Sequence, residues 1–262
     1  MKNLKVIIAL LSVIVAGSTL WASEPTFSCS QMHLANLYGH PATVTLGYIP
    51  ADEADRVSIG YSDSLALTSA IAAANGAEVA INGSFFDMER GNSVGFLKLG
   101  QLTVDSTSMG MAINGAIRCG AGRGVEIMKW NKEKERAYRQ TEGAILATGP
   151  VLLLGGEEVA IDNVPDSFGL SRHPRTAIGV MPDGAVLFLT VDGRHQGDSE
   201  GISLGNLARL MKAMGCRDAI NLDGGGSTTF WTASEGIQNY PCDNRRYDHE
   251  GERRVPTIVF LK

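Results

Sequence analysis

The sequence predicts an α+β fold, a mixed or antiparallel β-sheet core with a few helices. Three observations predict it. Runs of β-branched and apolar residues outnumber helical ones, the helical stretches are few and widely separated, and no regular alternation of strand and helix runs through the chain.

The elements follow in order. Between Cys29 and Ile59, strand-like pieces such as "ATVTLGYI" are interrupted by "YGHP" and "PADEAD", an entry into the fold without visible chemistry. In "SDSLALTSAIAAANGAEVAING", residues Ser62 to Ser64 are capping candidates for an alanine-rich helix that Gly76 stops. A strand from Glu78 to Ile81 then delivers Asn82 to a turn. The run from Lys129 to Glu142 mixes both charge signs and predicts a solvated surface. In "RTAIGVMPDGAVLFLTVDGR", Pro182, Asp183 and Gly184 break two β-rich runs, which predicts a hairpin leading into Asp192, Gly193 and Arg194.

Further on, Leu204, Leu207, Leu210, Met211 and Met214 recur at helical spacing, Gly215 ends that helix, and Asp218 to Leu222 read as a strand. The closing "RRVPTIVFLK" is a last strand. Helix, glycine, strand and polar turn therefore occur twice, around "AING" and "AINLDG". Two polar turns are expected at strand ends.

The first residues have a basic start at Lys2 and Lys5, an apolar run from Val6 to Ala16 and then small residues, the build of a secretory signal peptide. It is too short for a comfortable membrane span, with cleavage expected after Ala22 or Ser18. The expected organisation is a signal peptide over 1–22 and a single domain over 23–262, exported to the periplasm or secreted. A lipid anchor at Cys29 is disfavoured, because "TFSC" lacks the usual leucine and lies far from the apolar run. No other segment has the length and apolarity of a membrane span.

The net charge of −5 becomes −7 once the two leader lysines are removed, which argues against a nucleic-acid partner. Cys29, Cys119, Cys216 and Cys242 form an even set for an oxidising compartment. They allow one or two disulfides of undetermined pairing, or structural thiols.

The chemistry concentrates in "AINLDGGGSTTFW". Three glycines after a strand let main-chain N–H groups approach a ligand, so Gly224, Gly225 and Gly226 suit an anion-binding nest to which Ser227 and Thr228 add hydroxyl donors. No lysine follows, so this is not a nucleotide-binding P-loop. A glycine run alone more often makes a tight turn or close packing than an anion site. Its company argues for more: Asp223 adjoins it, and the other polar turns carry Asn82, Ser84, Arg175, Asp192 and Arg194. Guanidinium forks suit phosphate or carboxylate oxygens. His173 and His195 flank these arginines without a metal-ligand spacing, so neither a metal nor another cofactor is assigned.

Four segments, "INGSFFD" (Ile81 to Asp87), "PRTAIG" (Pro174 to Gly179), "VDGR" (Val191 to Arg194) and "GISLGNLARLMKAMGCRDAINLDGGGSTTF" (Gly201 to Phe230), resemble the phosphodiester glycosidase family. The resemblance covers roughly residues 78 to 262. It implies hydrolysis of the bond between a sugar's anomeric carbon and a phosphate esterified to a second group. The partner implied is a phosphorylated glycan or sugar-1-phosphate diester.

On that resemblance the catalytic candidates are Asp192, Asp223 and Arg175. The substrate-binding candidates are Asn82, Ser84, Arg194, Gly224, Gly225, Gly226, Ser227 and Thr228. Animal members read "VDGQ" where this chain has "VDGR", so Arg194 departs from their pattern.

The chemistry suits these residues. A phosphate monoester, with a second pKa of about 6, leaves far more readily than an alcohol, so charge stabilisation matters more than general acid catalysis. Phe85 and Phe86 suit either a sugar-facing wall or core packing. The competing readings are a non-catalytic module that binds phosphorylated glycans and a phosphodiesterase that cuts P–O instead of C–O.

Overall fold

Every strand pairing in the computed structural model, which describes residues 26–162 and 164–262, is antiparallel. The predicted signal peptide lies outside the described residues. No helix described is long and apolar enough to cross a membrane.

The chain begins with β1 (Ser28–Leu37), β2 (His40–Ile49), a 3-10 turn at Ala54–Arg56, β3 (Val57–Leu67), α1 (Thr68–Ala74) and β4 (Val79–Asn82). It continues through β5 (Leu97–Leu99), β6 (Leu102–Asp105), β7 (Gly115–Cys119), β8 (Val125–Lys129), α2 (Lys132–Ala137), β9 (Ala144–Thr148), β10 (Val151–Leu154) and β11 (Glu157–Glu158). After α3 (Asp166–Gly169) come β12 (Arg175–Val180), β13 (Val186–Val191), α4 (Leu204–Ala213) and β14 (Asp218–Asn221). The last elements are a 3-10 turn at Gly225–Ser227, then β15 (Phe230–Thr232), β16 (Gly236–Ile237) and β17 (Arg254–Leu261).

These strands make three sheets, ordered β1-β2-β13-β12-β14-β10-β11, β16-β15-β4-β17-β3 and β6-β5-β9-β7-β8. Alternation explains why the middle strands of the first sheet are apolar throughout. Along β13, Val186 and Phe188 join a core shared by all three sheets, whereas Leu187, Leu189 and Val191 face a second core beneath α4. Both faces are covered, so neither can be polar. On α4, Leu204, Leu207, Leu210 and Met211 supply the facing stripe.

The predicted hairpin is present. Gly184 takes a positive φ of 96°, and Asp183 Oδ1 accepts the Ala185 N–H at 3.0 Å. The Ser203 side chain caps α4, and Gly215 follows that helix at φ 90°.

Two expectations need correction, and the cysteine alternatives resolve to free thiols. Ser62 to Ser64 do not cap α1, because β3 continues to Leu67 against β17. Glu252 takes the capping role from far along the chain, accepting the Ser69 N–H at 3.0 Å and its hydroxyl at 2.6 Å. The Lys129 to Glu142 run is not wholly solvated: Glu135 is buried, accepting from Trp130 Nε1 at 3.2 Å and the Ser108 N–H at 3.1 Å. All four cysteines are free thiols. Cys119 and Cys216 lie in separate hydrophobic clusters, which keeps them from pairing.

Phe230, fully buried at the start of β15, locks the segment after the glycine run into the shared core. Its Cζ is 2.8 Å from where a Cβ on Gly47 would stand. Phe230→Ala is expected to lower the unfolding free energy by about 3–5 kcal/mol in urea denaturation. A loss under about 1 kcal/mol would show that this anchor is not needed.

Candidate active site

The two polar turns predicted at strand ends meet. Asn82, last residue of β4 and fully buried, donates from Nδ2 to the Asp223 carbonyl at 2.7 Å. Its Oδ1 accepts from Thr176 Oγ1 at 2.7 Å and from the Thr229 N–H at 3.1 Å. The Asp223 N–H donates to the Gly83 carbonyl at 3.0 Å. One amide thus joins the ends of strands from two sheets and both sides of the glycine run. Ser84 is buried too, donating from Oγ to the Ala147 carbonyl of β9 at 2.8 Å, so the third sheet backs the same point. Asn82 and Ser84 therefore turn their polar atoms to the protein, and their geometry is that of positioning residues.

The glycine run is not the open nest that its composition suggests. The N–H of Gly224 donates to Asp223 Oδ1 at 2.9 Å, that of Gly225 to the Pro174 carbonyl at 2.9 Å, and those of Ser227 and Thr228 to the carbonyls of Gly224 and Gly225 at 3.2 and 3.3 Å. Only the Gly226 N–H has no acceptor among the described residues of this turn.

Glycine is required here for a different reason. A Cβ on Gly224 would stand 2.6 Å from the Pro174 carbonyl oxygen, one on Gly225 would stand 2.9 Å from Arg194 Nη2, and one on Gly226 would collide with Arg253 Nη2 and Asp243. The run is a floor on which two guanidinium groups lie. The Arg194 group is exposed, and Arg253 is held by Asp243 through Nε at 2.9 Å and Nη2 at 2.5 Å.

Arg175, first residue of β12, is 1% exposed yet has no carboxylate in hydrogen-bond contact. Its donors go to carbonyls: Nε to Ile202 at 3.2 Å, and Nη2 to Phe168 and, at 3.4 Å, to Ser171. The guanidinium sits 4.8 Å from the centre of the Phe168 ring. Burial pulls its pKa down to about 10, opposed by the charge of Asp223 and assisted by that of Arg194. Arg175 accordingly clamps the α3 segment over the site while placing its charge beside Asp223.

The two aspartates differ. Asp192, one residue past β13, is 1% exposed and accepts from Asn239 Nδ2 at 2.8 Å and the Tyr240 N–H at 3.1 Å. Burial raises its pKa to about 7 against those two hydrogen bonds. Asp223 retains partial exposure. Burial raises it to about 6, held down by Ser227, the Gly224 N–H, and the charges of Arg253 and Arg175. The Ser227 hydroxyl adjoins this carboxylate without meeting hydrogen-bond geometry. Ser227, Thr228 and Thr229 each bury a hydroxyl that has no protein partner among the described residues, and that of Ser227 adjoins the carboxylate.

Arg253 and Asn239 were not visible as site residues. Asn239 links Asp192 to the Thr228 carbonyl at 3.1 Å and accepts the Phe230 N–H at 2.8 Å, so it joins the second aspartate to the glycine turn. Neither residue lies in a distinctive motif, and only the fold brings them in. No cluster of three metal-ligating side chains occurs among the described residues, and His173 and His195 have other partners. His173 Nε2 pairs with the Ser167 carbonyl at 2.9 Å, and His195 packs on Tyr247 at 5.1 Å. Phe85 and Phe86 are half-buried; the Phe85 ring meets Phe168 edge-on at 6.0 Å, and Phe86 packs against the α1 core.

The sequence profile of the phosphodiester glycosidase family matches residues 75–262. The N-acetylglucosamine-1-phosphodiester alpha-N-acetylglucosaminidase of Bos taurus is 27% identical over 202 residues, which are 71% of this chain and 37% of the bovine protein. The chain thus spans about a third of that relative's length. An SPbeta prophage-derived uncharacterized protein of Bacillus subtilis is 46% identical over 65 residues, 25% of this chain and 10% of its own. Among solved structures, the catalytic domain of the zebrafish N-acetylglucosamine-1-phosphodiester alpha-N-acetylglucosaminidase, auto-inhibited by its pro-peptide, superposes with a TM-score of 0.73. The likeness spans 92% of this chain and 84% of that one at 20% identity, which establishes the shared fold.

The raised pKa of Asp192 carries a pH signature. Its folded value lies above the unfolded value of about 3.9, so the native state holds the extra proton between the two and stability falls as pH rises through that window. Asp223 acts in the same direction up to about pH 6. Tm is expected to fall between about pH 4 and 7, and Asp192→Asn to lessen the fall. A Tm that rises across this range would contradict the assignment.

Proposed function

The chain belongs to the phosphodiester glycosidase family, and on that premise we propose that it hydrolyses the sugar C1–O bond of sugar-1-phosphate diesters. The observation that carries the reading is Asp223, a part-exposed carboxylate whose pKa is raised by burial and opposed by two guanidinium charges, Arg253 and Arg175. A lone buried carboxylate needs one cation at most. Arg253 is matched by Asp243, but Arg175 and Arg194 make no ion pair among the described residues, and these two unmatched cations suit a substrate that brings its own negative charge.

In this reading the diester phosphate lies against Arg194 and Arg253 above Gly225 and Gly226, with the Gly226 N–H and the hydroxyls of Ser227 to Thr229 as further donors. Asp223 acts at the anomeric carbon. The C1–O bond breaks with its electron pair leaving on the phosphate, water supplies hydroxyl to C1, and the water's proton passes to the carboxylate. The departing monoester has a second pKa of about 6, so stabilisation by the arginines replaces the protonated acid that an alcohol leaving group requires. Asp192, enclosed and bonded to Asn239 and Tyr240, holds the far side of the turn. The signal-peptide pattern over 1–22 supports action outside the cytoplasm.

Purified protein is expected to release free sugar from sugar-1-phosphate diesters and not from aryl glycosides or aryl phosphodiesters. Asp223→Asn is expected to reduce kcat by about 10³-fold or more with Tm unchanged or raised, and Arg253→Ala or Arg194→Ala by about 10²–10³-fold each. Because Asp223 works ionised, kcat/KM should rise as pH rises through about 6. Full activity in all three variants would sink the site assignment, and binding without sugar release from any diester would leave a glycan-binding module.

A further inference from the structure

One carboxylate on the glycine floor takes no part in the proposed chemistry. A Cβ on Gly226 would collide with Asp243 Oδ1 as well as with Arg253 Nη2, so Asp243 rests against the glycine whose N–H is left without an acceptor in the turn. Asp243 holds Arg253 through Nε at 2.9 Å and Nη2 at 2.5 Å, and both bonds end on Oδ1. The residue before it, Cys242, lies 3.8 Å from Arg194 Nη1 and 3.6 Å from the Gly225 carbonyl, so this dipeptide borders both guanidinium groups of the floor. Burial pushes the Cys242 thiol pKa up, Arg194 and Arg253 pull it down and Asp243 pushes it up, which puts all three charges in one neighbourhood.

Holding Arg253 requires an acceptor and not a negative charge, because a neutral amide oxygen in place of Oδ1 would accept the same two N–H bonds. What the carboxylate adds is repulsion of any anion on the floor, and that repulsion grows with the anion's charge. A phosphodiester has no second ionisable oxygen and carries one negative charge. A monoester has a second pKa of about 6 and carries close to two above neutral pH. We propose that Asp243 is a specificity-determining residue, whose charge lets the site accept a phosphodiester monoanion and expel the monoester dianion that the reaction leaves behind. The proposal rests on the phosphodiester reading above.

The test titrates wild type and Asp243→Asn calorimetrically at about pH 8 with dimethyl phosphate, a monoanion, and methyl phosphate, a dianion there. The asparagine keeps an Oδ1 acceptor for Arg253 and removes only the charge, with Tm measured to confirm folding. Wild type should bind dimethyl phosphate at least as tightly as methyl phosphate. Coulomb repulsion scales with the ligand's charge, so the variant's gain on the dianion is the square of its gain on the monoanion: about tenfold for methyl phosphate against about threefold for dimethyl phosphate.

A wild type that prefers methyl phosphate, or a variant with an unchanged ratio, would overturn the proposal while leaving the hydrolase reading intact. Weaker binding of both probes by the variant would also overturn it, because Asp243 would then serve only to hold Arg253. Binding of neither probe by either protein would overturn the proposal together with the placement of the phosphate. The shifted ratio without sugar release from any diester would support the proposed selectivity and overturn the hydrolase reading alone.

Discussion

The site depends on the Asn82 side chain. Its single amide holds the Asp223 carbonyl, the Thr176 hydroxyl and the Thr229 N–H at the same time, which ties β4, β12 and both flanks of the glycine run at one fully buried point. Each such bond is worth only about 1 kcal/mol net, but leaving a buried partner unpaired costs about 1–3 kcal/mol, and an amide of this length supplies both the donor and the acceptor that the three partners need. Aspartate would supply no donor for the Asp223 carbonyl, and leucine would orphan all three. The position of Asp223 is consequently set by a residue 141 positions away in the chain.

With the turn fixed, electrostatics determine what it can do. Burial raises the Asp223 pKa to about 6, against the lowering influence of Ser227, the Gly224 N–H and the charges of Arg253 and Arg175. Two unit charges 4 Å apart attract by about 4 kcal/mol at an effective dielectric constant of about 20, a scale comparable with the cost of removing a charge from water. In the proposed reading, a phosphodiester anion entering this region would meet preorganised cations, which would also offset its repulsion of the carboxylate. The glycines serve this arrangement by letting Arg194 and Arg253 lie directly on the backbone.

Much of this was legible in the sequence. The helix, glycine, strand and turn units around Asn82 and Asp223 are there, as are the hairpin ending near Asp192 and the final strand, because each is written in local periodicity and turn chemistry. The choice between mixed and antiparallel sheets was not legible, since pairing is a property of residues far apart. Nor were Arg253 and Asn239, which sit in unremarkable polar stretches and gain their roles from long-range contacts with Asp243, Asp192 and the glycine turn. The glycine run shows the limit most clearly: composition indicated an open backbone, and the fold engages most of that backbone internally and uses the missing side chains to admit guanidinium groups. Glu252 capping α1 is the same lesson on a smaller scale.

The central claim is that Asp223 and its arginines direct attack to the sugar's anomeric carbon and make the phosphate the leaving group. Hydrolysis of a sugar-1-phosphate diester in ¹⁸O-labelled water, with the products separated by mass spectrometry, tests it directly. The account predicts the label in the released sugar and none in the phosphate monoester. Label in the phosphate product would show attack at phosphorus and would contradict it.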